Sequence, residues 1–108
     1  MTLLVTTHRV PASAMTIAIT PQGEFRSPDA QMLRDRIVAV LAATHPERIV
    51  VDLSAVPDID EAGIDALRDG QELAAAQAAR LMLSDPAPQV REKLQRRGLE
   101  AALPPNVG

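Results

Sequence analysis

IVVDLSAVPDIDEAGIDAL, residues 49–67, contains the clearest structural signals in the chain. It opens with an apolar, β-branched run ending at Leu53, which predicts a strand buried on both faces of a sheet. Pro57 marks a turn, and the pattern then changes to a helix whose first turn includes Gly63 and Ile64. A strand, a tight turn and a helix start predict a surface knuckle held by rigid elements, and function is expected there.

An acidic cluster lies at this predicted helix start: Asp58, Asp60 and Glu61. Carboxylates suit the position, because the first helical N–H groups lack intrahelical partners and the helix macrodipole is positive there. Asp60 is the predicted N-cap residue. Capping within a solvated acidic turn is therefore the minimal role of the cluster.

Composition limits the function classes. The 108 residues suit one small domain, expected over 1–103 with a frayed tail at 104–108. Phe25 is the one aromatic residue and the net charge is −3, which argues against single-strand and duplex nucleic-acid binding. The chain has no cysteine, which excludes disulfides and thiolate metal sites. Without a signal-peptide or membrane-span pattern, a cytoplasmic protein with no membrane insertion is expected.

The N-terminal third predicts an antiparallel pair of strands. Residues 3–7 and 15–20 have strand character, with 10–14 as their connection. Residues 21–23 are expected to break the second strand, and 24–26 to form a loop.

Three helices follow, separated by two strands. Ser27-Pro28-Asp29 predicts the entry to the first helix and His45-Pro46 its end. The residues expected on its buried face are Leu33, Ile37, Val40 and Leu41, with Arg34, Asp35 and Arg36 facing water.

The second helix is expected from about Glu61 to Ala78, followed by a strand at Arg80–Ser84. Its predicted buried stripe is Ile64, Leu67, Gly70, Leu73 and Ala74, and its opposite face holds Asp65, Arg68, Asp69 and Glu72. The third helix is predicted to begin at Asp85-Pro86, to bury Val90 and Leu94, and to end at Gly98.

The predicted order is therefore β-β-α-β-α-β-α. It implies an α/β fold with a small mixed sheet of about four strands, in which an N-terminal antiparallel strand joins parallel ones and three main helices pack on the sheet.

Two chemical alternatives exist for the acids. Asp58-x-Asp60 after an apolar strand is shared with enzymes that use an aspartyl nucleophile, but those enzymes need further acids, a basic residue and a cap domain. Asp58, Asp60 and Gly63 also match positions one, three and six of a calcium loop. Asp69 replaces the glutamate of position twelve, and a strand precedes the loop. Neither alternative is favoured, so no metal, cofactor or catalytic residue is expected.

The remaining polar residues suggest no chemistry. His8 and His45 are isolated, and surface positions are expected for both. The basic set on the third helix is interpreted as a solvated face, with a docking role as the alternative; it comprises Arg91, Lys93, Arg96 and Arg97.

Residues 50–67 resemble the signature of the STAS domain, and specifically of bacterial anti-sigma factor antagonists. In that family a V-V-D-L-S-x-V strand leads into Asp-Ser-Ser-Gly-Leu at a helix start. The resemblance extends from GEF at 23–25, where the family has G-E-L-D, to SDPAPQVREKLQRRGL at 84–99, where it has V-N-P-S-P-x-V-x-x-x-L-x-x-x-G-L.

This resemblance implies a STAS-like fold and a role in regulation of transcription. In the family, an anti-sigma factor with a GHKL-type ATP-binding kinase domain docks at the helix start and phosphorylates the second serine of the motif, which breaks the complex. Asp60 matches the motif's aspartate, Glu61 its first serine and Ala62 the phosphorylated serine. Gly63 and Ile64 match its glycine and leucine.

The departures from the motif concern the same surface. Ala62 has no hydroxyl, so the family phosphosite is absent. Arg26 replaces the aspartate of G-E-L-D, while Asp65 and Arg68 replace residues that are usually small or apolar. Three interpretations follow: retuning to another partner, permanent competence for binding, or partial imitation of the phosphorylated state by Glu61.

The predicted function is a non-enzymatic regulatory module that binds a protein partner, of which a GHKL-type anti-sigma factor kinase is one candidate. The predicted partner-binding residues are Arg26, Asp58, Asp60, Glu61, Ala62, Gly63, Ile64, Asp65 and Arg68, with Asp69 at the exposed edge. The alternative is a STAS-type assembly subunit of a transport or signalling complex. The sequence does not predict the oligomeric state or a small-molecule ligand.

Overall fold

A computed structural model of the chain describes residues 4–10, 15–23 and 27–99. The predicted loop at 24–26, with Arg26, and the predicted tail at 104–108 lie outside these residues. The elements are β1 (Leu4–Val10), β2 (Thr16–Gln22), α1 (Ser27–Thr44), β3 (Arg48–Asp52), α2 (Glu61–Ala76), β4 (Arg80–Ser84) and α3 (Pro88–Arg96). The α/β class, the three helices and the parallel strands are confirmed.

The four strands form one sheet in the order β1-β2-β3-β4. β1 is antiparallel to β2, whereas β2, β3 and β4 run parallel. The register aligns Ile17 with Ile49 and Ile49 with Leu81. Because strand side chains alternate between faces, this register places one continuous row of large apolar side chains on the same side of the sheet.

The main core lies between this side of the sheet and the helices. Helices α1 and α2 pack against each other, and α2 also contacts β4. The four residues predicted for the buried face of α1 are all buried, as are Val90 and Leu94 of α3. The helical spacing of apolar residues therefore identified the packing faces correctly. Arg34 is an exception on the predicted water-facing side, since its Nε lies 2.8 Å from Asp69 Oδ2 on α2.

Two predicted boundaries near prolines are wrong. Pro21 and Gln22 do not break β2 but belong to it, paired with Val5 and Leu4. Pairing of β2 with β3 ends at Ile19, so the proline lies where the strand has one neighbour only and its missing N–H is tolerated. β1 is also longer than predicted and includes Val10.

The third helix begins at Pro88 and not at Asp85-Pro86. Asp85 has a positive φ of 51°, which cannot continue into a helix, and Ala87 occupies the N-cap position without a side-chain hydrogen bond. Pro88, two residues after Pro86, fills the first helical position, where a backbone N–H is not needed. A proline does open the helix, but it is Pro88 and not Pro86, and the predicted capping by Asp85 is wrong.

Candidate docking surface at the start of helix α2

The connection from β3 to α2 is anchored by buried apolar side chains. The N–H of Ser54 donates to Asp52 Oδ1 at 2.9 Å, and the N–H of Val56 donates to the carbonyl of Leu53 at 3.0 Å. Val56 and Ile59 are almost fully buried, with exposures of 0% and 1%. The polar residues between and after these two anchors therefore project from a fixed backbone.

Asp60 caps helix α2 as predicted. Its backbone is extended, and its Oδ1 accepts a hydrogen bond from the N–H of Gly63 at 2.9 Å. The carbonyl of Asp60 accepts the first intrahelical bond, from Ile64 N–H at 3.0 Å. The helix consequently starts at Glu61, whose acidic side chain lies in the first turn.

The predicted partner-binding residues differ in accessibility. Glu61 is the most accessible, with 88% of its side chain exposed. Gly63 and Ile64 are buried, and Ile64 belongs to the core. The remaining described members are partly buried: Asp58, Asp60, Ala62, Asp65 and Arg68. We call the accessible set, Asp58, Asp60, Glu61, Ala62, Asp65 and Arg68, the docking surface.

Helix α3 pairs with the start of the docking surface through Lys93. The Nζ of Lys93 lies 2.7 Å from Asp58 Oδ1 and donates to the carbonyl of Ile59 at 3.0 Å. Gln89, one turn earlier, donates from Nε2 to the carbonyl of Pro57 at 2.6 Å. These contacts attach the loop before α2 to one edge of α3.

Arg97 forms a second connection further along α2. Its Nη2 lies 2.8 Å from Asp65 Oδ1, and its Nη1 lies 3.8 Å from Glu61 Oε1. The Nη2 of Arg68 donates in return to the carbonyl of Arg97. Two acids and one arginine of α2 are thus in contact with a residue at the end of α3.

The interpretation of the basic residues of α3 as a solvated face is therefore wrong for two of them. Lys93 and Arg97 are partly buried and neutralise acids of the docking surface, while Arg96 is exposed and pairs with Glu92 within α3. A signal was present in the sequence: Lys93 and Arg97 are four residues apart and so share one helix edge. What the sequence did not contain was the position of that edge relative to α2.

A shallow cleft of about 350 Å³ separates the starts of α2 and α3. It is lined by Ile59, Asp60, Glu61, Ile64, Lys93, Arg96 and Arg97. The two acids belong to the start of α2 and the three bases to α3 and its end, and Ile59 and Ile64 add apolar surface. Among the residues that the structure describes, no three acidic or histidine side chains converge to hold a metal ion.

No helix in the described ranges is long and apolar enough to cross a membrane. No curated protein sequence matches the chain.

Solved structures share the fold. The anti-sigma factor antagonist SpoIIAA in its unphosphorylated form is 20% identical, with a TM-score of 0.77 over 92% of this chain and 86% of that one. An anti-sigma factor antagonist from Mycobacterium paratuberculosis is 24% identical, with a TM-score of 0.76 over 96% and 88%. A sulfate transporter family protein from Wolinella succinogenes is also 24% identical, with a TM-score of 0.66 over 82% and 75%.

The family itself is shown by a sequence model. The model of the STAS domain matches residues 6–106, which is nearly the whole chain. The fold, the helix start after β3 and this match agree, and the chain belongs to the STAS domain family.

Proposed function

We propose that the chain is a non-enzymatic regulatory module that binds a protein partner, of the anti-sigma factor antagonist type, and that it is not switched by phosphorylation at residue 62. The observation that carries the proposal is the first turn of α2. Asp60 caps it, Glu61 projects into solvent, and alanine occupies the position that the family resemblance assigns to the phosphorylated serine.

The interactions of the acids support binding in preference to catalysis. Asp58 pairs with Lys93, Asp65 pairs with Arg97, and Asp60 caps the helix. Each of these three carboxylates therefore makes a contact that fixes the backbone or the neighbouring helix at the docking surface. A preorganised surface loses less conformational entropy when a partner binds.

The burial of Gly63 and Ile64 refines their proposed part in docking. We propose that Ile64 supports the surface from beneath, and that Gly63 contributes a backbone without a side chain between Ala62 and the core. Arg26 remains a proposed contact on the strength of the family resemblance alone.

Of the three interpretations, we favour first that the docking surface is adapted to another partner, and second that the chain is permanently able to bind. Partial imitation of the phosphorylated state by Glu61 comes last. Glu61 supplies one negative charge, whereas a phosphate adds about −1.5 to −2. The Arg97 guanidinium lies 3.8 Å from the Glu61 carboxylate and partly offsets even that charge. Glu61 is therefore better described as a residue that contacts a partner than as a permanent substitute for a phosphorylated serine.

A second candidate function is an assembly subunit of a transport complex. The similarity to the sulfate transporter family protein from Wolinella succinogenes favours it, because the same fold occurs there in another setting. In both functions the docking surface is expected to mediate the contact.

Capture from native lysate on the immobilised chain distinguishes the two functions. Recovery of a kinase-type anti-sigma factor would support the anti-sigma factor antagonist function. Loss of that capture in Glu61→Lys would locate the contact, and Glu72→Lys is the control that makes the same charge change at an exposed position further along α2. Recovery of transporter components would favour the second function, and capture unchanged by Glu61→Lys would contradict the proposed surface.

The recovered kinase then tests the absent switch. With ATP and magnesium, it is expected to leave the wild-type chain unmodified, to phosphorylate Ala62→Ser and to release it. Ala76→Ser, at the far end of α2, is the matched control and should remain unmodified. Mass spectrometry that finds phosphate in the first turn of wild-type α2 would refute the proposal.

A further inference from the structure

The sheet has a second face that the core does not use. Strand residues that alternate with the core positions point away from the helices. We call this the open face; its described members on β2, β3 and β4 are Thr16, Ala18, Thr20, Arg48, Val50, Asp52, Arg80, Met82 and Ser84. The hydrophobic core cluster contains none of them. Thr16 and Ala18 are buried, with 7% exposure each, so the exposed part of this face lies mainly on β3 and β4.

The strand order explains why the described helices α1 and α2 pack on the other face. Each parallel crossover, β2-α1-β3 and β3-α2-β4, moves one strand in the same direction across the sheet. Right-handed crossovers that move in one direction place their helices on the same side. The contact between α1 and α2 agrees with this placement.

The register arranges the open face in three rows. Arg48 and Arg80 are directly opposite each other at the start of β3 and β4, and both are exposed. Val50 and Met82 form the middle row, partly exposed. The last row pairs Asp52 with Ser84. A basic end and an acidic end are therefore separated by an apolar centre.

The two arginines are an unfavourable pair in the isolated chain. Neighbouring strands lie about 4.8 Å apart, and like charges directly opposite each other destabilise a sheet. Within the described part of the chain, neither Arg48 nor Arg80 forms an ion pair with an acid. A carboxylate supplied by another molecule would remove this repulsion.

We propose that the open face is a self-complementary surface through which two copies of this chain associate back to back. A two-fold axis in the plane of the interface, perpendicular to the strands, places β3 over β3 of the second copy in the opposite direction. Arg48 of one copy then lies over Asp52 of the other, and the Val50 and Met82 rows meet. A symmetric dimer needs a patch that complements itself in this way.

The dimer is weak, given the size of this face. The exposed rows lie on β3 and β4, and two strands about 4.8 Å apart and five residues long at about 3.3 Å per residue give roughly 150–200 Å² per copy. Stable interfaces bury about 800 Å² per partner. Association is therefore expected only at high protein concentration, and added salt is expected to weaken it because the end rows are charged.

Sedimentation velocity across a concentration series tests the proposal on the purified full chain. The wild type is expected to shift from monomer towards dimer as concentration rises. Arg48→Asp should remain monomeric, because it places acid over acid. The exchanged variant Arg48→Asp/Asp52→Arg should recover the dimer, since each charge then meets its opposite again.

Arg36→Asp is the matched control, with the same charge change on α1, and it should dimerise like the wild type. Circular dichroism confirms that each variant is folded. A wild type that stays monomeric throughout, a dimer that is indifferent to Arg48→Asp, or an exchanged variant that stays monomeric would each overturn the proposal. The comparison of the wild type with Arg48→Asp does not depend on the function proposed for the docking surface, because that surface lies at the start of α2.

Discussion

Single residues set the ends of the helices in this chain. Asp60 begins α2 by accepting the N–H of Gly63, and Gly98 ends α3 in a left-handed conformation with φ of 77°. After Gly98 the chain turns back, so that the N–H of Leu99 donates to the carbonyl of Leu94 at 2.9 Å and that of Gly98 to the carbonyl of Gln95 at 3.1 Å. This is the Schellman arrangement. Leu99, which is buried, gains its place in the core from that turn.

Gly98→Ala is expected to lower the free energy of unfolding by about 1 kcal/mol, the cost of a side chain in the left-handed region. A Cβ built at Gly98 meets no atom within 4 Å, so backbone strain is the only cause. Gly98→Asn, a residue that tolerates this conformation, should lose less. Urea denaturation measures both, and equal stability of Gly98→Ala and wild type would show that the turn is not strained.

Helix α2 packs closely on its neighbours at Gly70. A Cβ at Gly70 would lie 2.6 Å from Ile37 Cδ1 and 3.1 Å from Leu81 Cδ1, so the helix is wedged between α1 and β4 at that point. Glycine normally weakens a helix by about 1 kcal/mol relative to alanine. Glycine is explained here by the close approach of α2 to Ile37 and Leu81. A larger residue would fit only if those two side chains moved.

Gly70→Val is expected to lower the free energy of unfolding by about 2–3 kcal/mol, because its branched side chain overpacks a closed core. Ala76→Val provides the control: it adds the same side chain at an exposed position of the same helix and should cost about 0.5 kcal/mol, a propensity effect only. Thermal or urea unfolding distinguishes them. A stability close to that of the control would mean that α1 and β4 yield easily at this contact.

At the scale of the whole molecule, α3 is attached to the docking surface by both apolar and ionic contacts. Val90 and Leu94 enter the core, while Lys93 and Arg97 pair with acids of the loop and of α2. Because these charged side chains are partly exposed, their ion pairs orient α3 more than they stabilise it. A partner that binds the docking surface consequently meets α3 as well.

A double-mutant cycle with Asp65→Ala and Arg97→Ala measures this attachment. The expected coupling in the free energy of unfolding is about 0.5 kcal/mol, the size typical of exposed ion pairs. It should decrease with salt, since screening weakens such pairs. Asp65→Ala combined with Arg36→Ala is the control pair and should show no coupling, because Arg36 donates to Thr7 instead. Zero coupling for Asp65 and Arg97 at low salt would contradict the contact.

Much of the candidate site was predictable from local sequence. The N-cap role of Asp60 and the knuckle after β3 depend on residues within a few positions of one another. The pairings of Asp58 with Lys93 and of Asp65 with Arg97 were not predictable, since their partners are 35 and 32 positions apart. The helical spacing predicts the burial of Ile64, which the structure confirms, but not the burial of Gly63. With both residues buried, the accessible surface consists of their neighbours.

Local sequence was sufficient for the order of the elements, the apolar faces of the helices and the family, because periodicity, caps and motifs are properties of neighbouring residues. The three-dimensional packing was needed to show which prolines a strand or a helix start accepts, and which basic residues of α3 meet the acids of α2. It was also needed to show that α1 and α2, among the described helices, pack on the same side of the sheet. These outcomes depend on how crossovers and packed faces bring distant residues together, and no local pattern contains that information.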